Sequence, residues 1–461
     1  MFSKEIYIER RKKLRERLDS GLIVFLGNRE SAMNYPGNPY HFRQDSSFLY
    51  FFGLDVPDFD GIIDIDENQD YIFGNDFTVD DIIWMGPQPR VSALAEKVGV
   101  DLTGDYTKFA GMISGALKAK RPIHFLPPYR AENSVRLSAL LGISPEFLKS
   151  YVSIDLIRSV VALRSLKSEL EVQEIEKALD ISYDMYASAM QMARPGIYER
   201  EIVGKIEGIV GGNGSHTAFP TILSIHGETL HNHHHGNRME KDDLLVIDSG
   251  AESPEHYASD ITRTLPVGGA FTSRQREIYE IVLKSQLAAI EAVSPEVSYK
   301  EVHLQVAGIM VDGLKDLGLM KGDTAEAVNQ GAHALFYPHG LGHMMGLDVH
   351  DMEDIGEDYV GYDKGMKRSD QFGLAYLRLA KKLKPGFVFT VEPGLYFIPA
   401  LIDQWKAAKK HTPFINYEKV DTYKDFGGIR IEDDLLVTEK GSRVLGKPIP
   451  KTVNDVENAM K

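Results

Sequence analysis

The chain contains no cysteine. Disulfides are thereby excluded, and so is any metal site built on thiolates; a bound metal would rest on oxygen and imidazole donors. Redox chemistry therefore gives no reading of compartment. Long apolar runs are missing too, since nothing approaches the ~20 apolar residues that a membrane-crossing helix needs. Met1-Phe2-Ser3-Lys4-Glu5 opens directly into a charged, helix-like run to Asp19. Neither a signal peptide nor a membrane partner is expected, and the cytoplasm is the default location. Positive charge is in the minority: Lys and Arg number 52 against 67 Asp and Glu, and the net charge of -15 argues against a nucleic-acid partner, which would want a basic face. There is no low-complexity tract and no short tandem repeat.

What is present is an ordinary globular composition, 43% hydrophobic and 26% charged, in 461 residues, enough for two or three domains. Residues 1 to about 160 read as an α/β unit. A basic amphipathic helix comes first, followed by strands at Gly21-Leu22-Ile23-Val24-Phe25-Leu26 and Gly61-Ile62-Ile63-Asp64-Ile65 and then by mixed elements. The aromatics Phe48, Tyr50, Phe51 and Phe52 read as core, and Arg43-Gln44-Asp45 as a structural ion-pair cluster. The boundary falls at Ser165-Leu166-Lys167-Ser168, where Ser168 can cap a long helix from Glu169 to Met192 that Arg194-Pro195-Gly196 ends. This divides the chain into 1–164 and 165–461. In the second part, helices such as Arg274 to Val293 alternate with strand pairs.

Five residues of the second part stand out: Asp248, Asp260, His343, Glu392 and Glu432. Each sits in an apolar, β-rich segment where a lone charge is costly to bury, so together they call for a compensating partner. Leu244-Leu245-Val246-Ile247-Asp248 and Tyr257-Ala258-Ser259-Asp260-Ile261-Thr262 flank the turn residues Ser253-Pro254-Glu255 and read as a hairpin. A turn centred on Pro254 puts Asp248 and Asp260 directly opposite each other on one face. Glu392 ends the run Phe387-Val388-Phe389-Thr390-Val391 and precedes Pro393-Gly394. In Gly428-Ile429-Arg430-Ile431-Glu432-Asp433-Asp434-Leu435-Leu436-Val437, read as one strand, period two sets Arg430 beside Glu432 as the residue that orients it. His339-Gly340-Leu341-Gly342-His343 joins two histidines through glycines that allow close backbone approach. Four carboxylates and an imidazole suit hard or borderline divalent ions. Two such ions balance the charge, with Mn expected first and Co or Zn as alternatives. Water activated between two cations implies metal-assisted hydrolysis.

These segments, with Gly346-Leu347-Asp348-Val349-His350-Asp351 and the N-terminal Phe42-Arg43-Gln44-Asp45-Ser46-Ser47-Phe48-Leu49-Tyr50-Phe51-Phe52-Gly53-Leu54, resemble the pita-bread metallopeptidases, and within them the Xaa-Pro aminopeptidase (aminopeptidase P) and prolidase branch. The resemblance implies an α/β N-terminal domain followed by an α+β pita-bread catalytic domain of the creatinase/aminopeptidase type. It implies a dinuclear exopeptidase that cuts between an N-terminal residue and a following proline, and a homo-oligomer, dimer or larger. Carried over by position, Asp248 holds one metal, Asp260 and Glu432 bridge both, and His343 with Glu392 holds the other, Glu392 also taking the proton of the attacking water. His231, His339 and His350 correspond to the substrate-cleft histidines, and His231 or His350 helps protonate the departing proline nitrogen, a poor leaving group. His233, His234 and His235 read as a polar loop.

Two departures from the pattern matter. The spacing from Asp248 to Asp260 is a residue longer than the family's usual one, an extension for the hairpin turn to absorb. The stretch 396–426 is an insert, containing Trp405, Lys406, Lys409, Lys410 and His411. Larger prolidases have an arginine in a comparable insert that receives the dipeptide carboxylate, and Lys409-Lys410-His411 stands at the equivalent place. A prolidase acting on dipeptides is therefore the alternative reading. A catalytically dead binding module and a metal-free, creatinase-like hydrolase are both disfavoured, because no ligand position is lost.

Overall fold

A computed structural model describes all residues, 1–461. The chain forms two compact units, one of Met1–Arg164 with Met352–Tyr359, the other of Ser165–Asp351 with Val360–Lys461. The sequence reading placed 352–359 in the second domain; this segment groups with the first. Its contacts explain why: Asp354 lines a small hollow with Val24, Phe25 and Asp45, and the Tyr359 ring lies 5.7 Å under the Arg158 guanidinium.

In the first unit the strands β1 (Leu22–Leu26), β2 (Asp60–Asp64), β3 (Gln69–Phe73), β4 (Leu102–Gly104) and β5 (Ile123–Phe125) make one mixed sheet in the order β4-β3-β2-β1-β5. Helices α1 (Lys4–Arg15), α2 (Ser46–Phe52), α3 (Val79–Met85), α4 (Val91–Lys97), α5 (Tyr106–Lys118), α6 (Ala131–Leu141) and α7 (Ile154–Arg164) complete it. Leu22, Val24, Ile62 and Phe73 of the sheet bury themselves against Phe109 and Ile113 of α5, each worth roughly 1.5–3 kcal/mol. Phe48, Tyr50, Phe51 and Phe52 are buried, as their reading required. Asp45 caps α2, accepting from the Phe48 amide at 2.8 Å, and Gln44 is held by the Asn28 amide at 2.6 Å.

The second unit opens with α8 (Glu169–Met192), whose Ser168–Glu171 capping box satisfies the first orphan amides. Next come α9 (Glu199–Gly212), α10 (Ser273–Ala292), α11 (Tyr299–Asp316) and α12 (Thr324–Asn329), with the later α13 (Glu357–Gly361), α14 (Pro399–Ala407), α15 (Tyr417–Asp421) and α16 (Val453–Ala459). The strands fall into three small sheets. β6 (Ile222–Ser224), β7 (Leu244–Ser249) and β8 (Ile261–Pro266) form one; β10 (Gly394–Tyr396) pairs with β11 (Gly428–Arg430); β12 (Asp433–Val437) lies between β9 (Val388–Val391) and β13 (Ser442–Val444).

Two expectations about register are corrected here. Asp248 pairs with Thr262, and the bridge Glu252–Ala258 centres the hairpin on Glu255 instead of Pro254. Asp260 is therefore diagonal to Asp248, on the same face by period two. The residue opposite Asp260 is Gly250, where a Cβ would stand 1.7 Å from the Ser259 carbonyl oxygen; only glycine lets the two chains approach so closely here. The segment 428–437 is likewise two strands in two sheets, broken at Ile431-Glu432.

Candidate active site and metal centre

The broken strand sets up the site. Where β11 ends and β12 begins, the Glu432 amide donates to Thr262 O at 3.0 Å, and Glu432 Oε2 accepts from Thr262 Oγ1 at 2.6 Å. Arg263, on the opposite face of β8, is fully buried; it pairs with Asp433 at 2.7 Å and donates to Glu432 O at 2.6 Å, clamping the break from behind. Asp260 is fixed through its own amide, which donates to Asp434 Oδ2 at 3.0 Å. From the other half of the unit, the Thr390 amide donates to His343 O, and Met344 bridges Phe389. A Cβ on Gly342 would lie 2.0 Å from Thr390 O, so the glycine of this motif is what brings His343 up to β9.

The five expected ligands line one cavity of about 690 Å³. One ligand atom each from Asp260, His343 and Glu432 lies within 4.8 Å of the others. His343 Nε2 is 3.3 Å from Asp260 Oδ2 and 3.8 Å from Glu392 Oε1. Asp248 is tied in through Arg430, whose Nη2 donates to Asp248 Oδ2 at 2.6 Å. Arg430 also donates from Nε to Thr262 Oγ1 at 3.1 Å and from Nη1 to Tyr396 Oη at 2.8 Å. The expectation that it orients Glu432 directly is thus corrected: it grips Asp248 and reaches Glu432 only through Thr262.

The donor set fits divalent cations on electrostatic grounds. Asp248 Oδ1, Asp260 Oδ1 and Glu432 Oε1 are buried acceptors with no hydrogen-bond partner, a state that costs several kcal/mol unless a cation or proton answers it. Burial, reinforced by neighbouring carboxylates, pushes Asp260 and Glu432 well above the usual carboxylate range, and burial also raises Glu392 despite His343 and Arg430. Protons occupy such a cluster when nothing stronger does; divalent ions are stronger.

The three candidate substrate histidines line the same cavity. The His350 ring packs on His343 with centroids 4.1 Å apart. His339 has both nitrogens engaged, Nδ1 with Gly340 O at 2.7 Å and Nε2 with Tyr396 Oη at 2.9 Å. Nδ1 therefore carries the hydrogen and Nε2 accepts from the phenol, which in turn accepts from Arg430. Burial, with Arg430 adding to it, holds His339 down at about 3, so this ring is neutral. His231 is exposed at the cavity wall and is lowered by its partial burial. His233 lines the cavity as well, unlike His234 and His235.

Sequence reasoning missed Thr262, Tyr396 and Arg378, all within this assembly. Thr262 carried a signal, two positions from Asp260 and so on its face. Tyr396 and Arg378 carried none. The insert is also reassigned: none of Lys409, Lys410 and His411 lines the cavity, and Lys410 Nζ instead sits 3.9 Å over the Trp405 ring, which packs on the cavity residue Phe372. The cations in the wall are Arg378 and Arg430.

Residues 173–439 match the model of metallopeptidase family M24, and residues 7–124 that of the aminopeptidase P N-terminal domain. This chain belongs to metallopeptidase family M24. Its fold is accordingly an aminopeptidase P-type α/β domain followed by a pita-bread domain, and it is a metallopeptidase hydrolase in which Asp260, His343 and Glu432 form a group able to hold a metal ion. M24 relatives span the whole chain. The Xaa-Pro dipeptidase of Homo sapiens is 31% identical, covering 98% of this chain and 92% of its own length, and the Xaa-Pro aminopeptidase of Escherichia coli (strain K12) is 31% identical, covering 99% and 98%. Among solved structures, a glutamate-to-alanine variant of Escherichia coli aminopeptidase P in complex with substrate matches with a TM-score of 0.81 at 30% identity, covering 100% of this chain and 98% of that one. The proline aminopeptidase P II of Yersinia pestis matches with a TM-score of 0.82 at 28% identity, covering 100% and 99%. No helix is long and apolar enough to cross a membrane.

Proposed function

We propose that the chain is an Xaa-Pro aminopeptidase, cutting peptides between the N-terminal residue and a proline in second position. The observation that carries this is the convergence, in one cavity, of four carboxylates with three orphaned buried oxygens, a ligand imidazole and four further histidines. Asp248, Asp260, His343, Glu392 and Glu432 would together hold the two ions; Mn is the proposed metal, with Co or Zn able to replace it. The ions, when bound, supply Lewis acidity to the scissile carbonyl and acidity to a water.

The protein's residues do the rest. Glu392, the most open of the four carboxylates, would take the water's proton. His231 or His350 delivers a proton to the imino nitrogen, which cannot depart as an anion. Neutral His339, held by Tyr396, shapes the carbonyl side of the cleft. Phe219, Ile222, Leu230 and Phe372 give the wall an apolar character suited to a pyrrolidine ring.

One observation favours the second reading, a dipeptidase: Arg378 in the cavity wall is a cation able to receive a carboxylate directly after proline. Rates on an Xaa-Pro dipeptide and an Xaa-Pro-Xaa peptide distinguish the two. The aminopeptidase reading expects the longer peptide to be cut at least as fast; cleavage of the dipeptide alone would replace it with the dipeptidase. The proposed assembly is a homo-oligomer. It is supported by α3, where Ile83 is 69% and Trp84 85% exposed and no residue is buried.

A further inference from the structure

His350 lies in a stretch from His343 to Asp351 with no regular secondary structure beyond the Met344 bridge. The loop is nevertheless tied tightly. Met345 N donates to Val388 O, Gly346 N to Asp348 O and Asp351 N back to Met344 O, all within 3.0 Å. Beneath it lies an ion pair. Lys167 Nζ donates to Asp351 Oδ2 at 2.8 Å, and both side chains are 1% exposed. Lys167 is itself anchored, its amide donating to Gly386 O at 2.8 Å one residue before the Ser168 cap of α8. The loop closes directly over the pair, since a Cβ on Gly346 would stand 2.5 Å from Asp351 Oδ2 and 2.8 Å from Lys167 Cε.

A buried ion pair is a poor source of net stability, because desolvation of both charges consumes most of their attraction, and apolar replacement of both partners is often neutral or stabilising. Lys167 and Asp351 do not line the cavity, so they are not catalytic residues. Their position points elsewhere. Asp351 follows His350, and the ring of His350 is the one packed against the ligand His343, tilted at 53° with centroids 4.1 Å apart.

We propose that the Lys167–Asp351 pair is a positioning device that holds the 343–351 loop closed and keeps the His350 imidazole registered against His343. The proposal rests on the peptidase reading of the cavity, which assigns His350 its role. It gives the buried charge a function in geometry, comparable to the outer partners that orient metal-site ligands.

The test replaces both charges together, Lys167→Met with Asp351→Leu, in the metal-loaded full chain. Expected are a melting temperature within about 4 °C of the wild type, kcat for an Xaa-Pro substrate lower by about 10- to 100-fold with little change in KM, and a crystal structure in which the His350 ring has left His343. Lys167→Arg, which keeps the charge, is expected to retain more of kcat than Lys167→Met. A folded double variant with wild-type kcat and His350 in place overturns the proposal. So does a double variant whose loss of activity merely follows a collapse in melting temperature, with no advantage for Lys167→Arg. If the wild type itself leaves Xaa-Pro peptides uncut, the peptidase reading fails, and the crystallographic comparison of the His350 ring still decides the positioning claim.

Discussion

Glu392 has the most solvent access of the cavity's carboxylates, with a side chain 19% exposed against 13% for Asp248 and 7% for Asp260. Water reaches it, and it has no side-chain clamp comparable to the Arg430 grip on Asp248. Glu392→Gln is therefore expected to lower kcat by roughly 10²–10⁴-fold, measured on an Xaa-Pro peptide at saturating metal; near-normal turnover would remove it as the base. Asp260 and Glu432 make a prediction about pH. Their folded-state pKa values lie above those of the unfolded chain, so the native metal-free protein binds more protons and loses stability as pH rises through those folded values. Thermal melts of stripped protein from pH 5 to pH 8 should show a falling midpoint that added Mn restores; a midpoint that rises with pH contradicts this. The sequence made these ligands legible because each acid interrupts an apolar run. Tyr396 was not legible, since at the end of β10 it looks like one more core aromatic. Its hydroxyl meets Arg430 and His339 only because β10 pairs with β11. Arg378 lies in a segment whose pattern predicts nothing.

At the level of elements, face was readable and register was not. Alternation correctly put Asp248 and Asp260 on one side, but the turn centre depends on how residues 250–258 cross, and composition does not report that. The backbone contact at Gly250 decides it. Gly250→Ala should cost about 1–3 kcal/mol in denaturant unfolding and weaken divalent-ion binding as Asp260 is pushed out of line; unchanged stability would mean that the hairpin has room to spare. The 428–437 segment teaches the same point. Its alternation survives across the break, with Ile429 and Ile431 fully buried, while β11 and β12 join different sheets. Hydrophobic period identifies the buried face and says nothing about a change of strand partners. The cap of α8, by contrast, is a local matter, and Ser168 was enough to locate its start.

At the scale of the whole molecule, family membership covers both units, and the exposed Ile83 and Trp84 of α3 are the surface proposed for assembly. Ile83→Asp with Trp84→Glu should lower the oligomeric mass in sedimentation velocity without unfolding the first unit, whose α3 buries none of its residues; an unchanged mass would leave α3 without that role. The central claim is that distant carboxylates and an imidazole come together to bind a pair of divalent cations. Calorimetric titration of the metal-stripped full chain with Mn, run beside Asp260→Asn, tests it most directly. Two ions per wild-type chain and a loss of that binding in Asp260→Asn are the predicted result; no saturable binding, or identical binding by both proteins, would contradict the account.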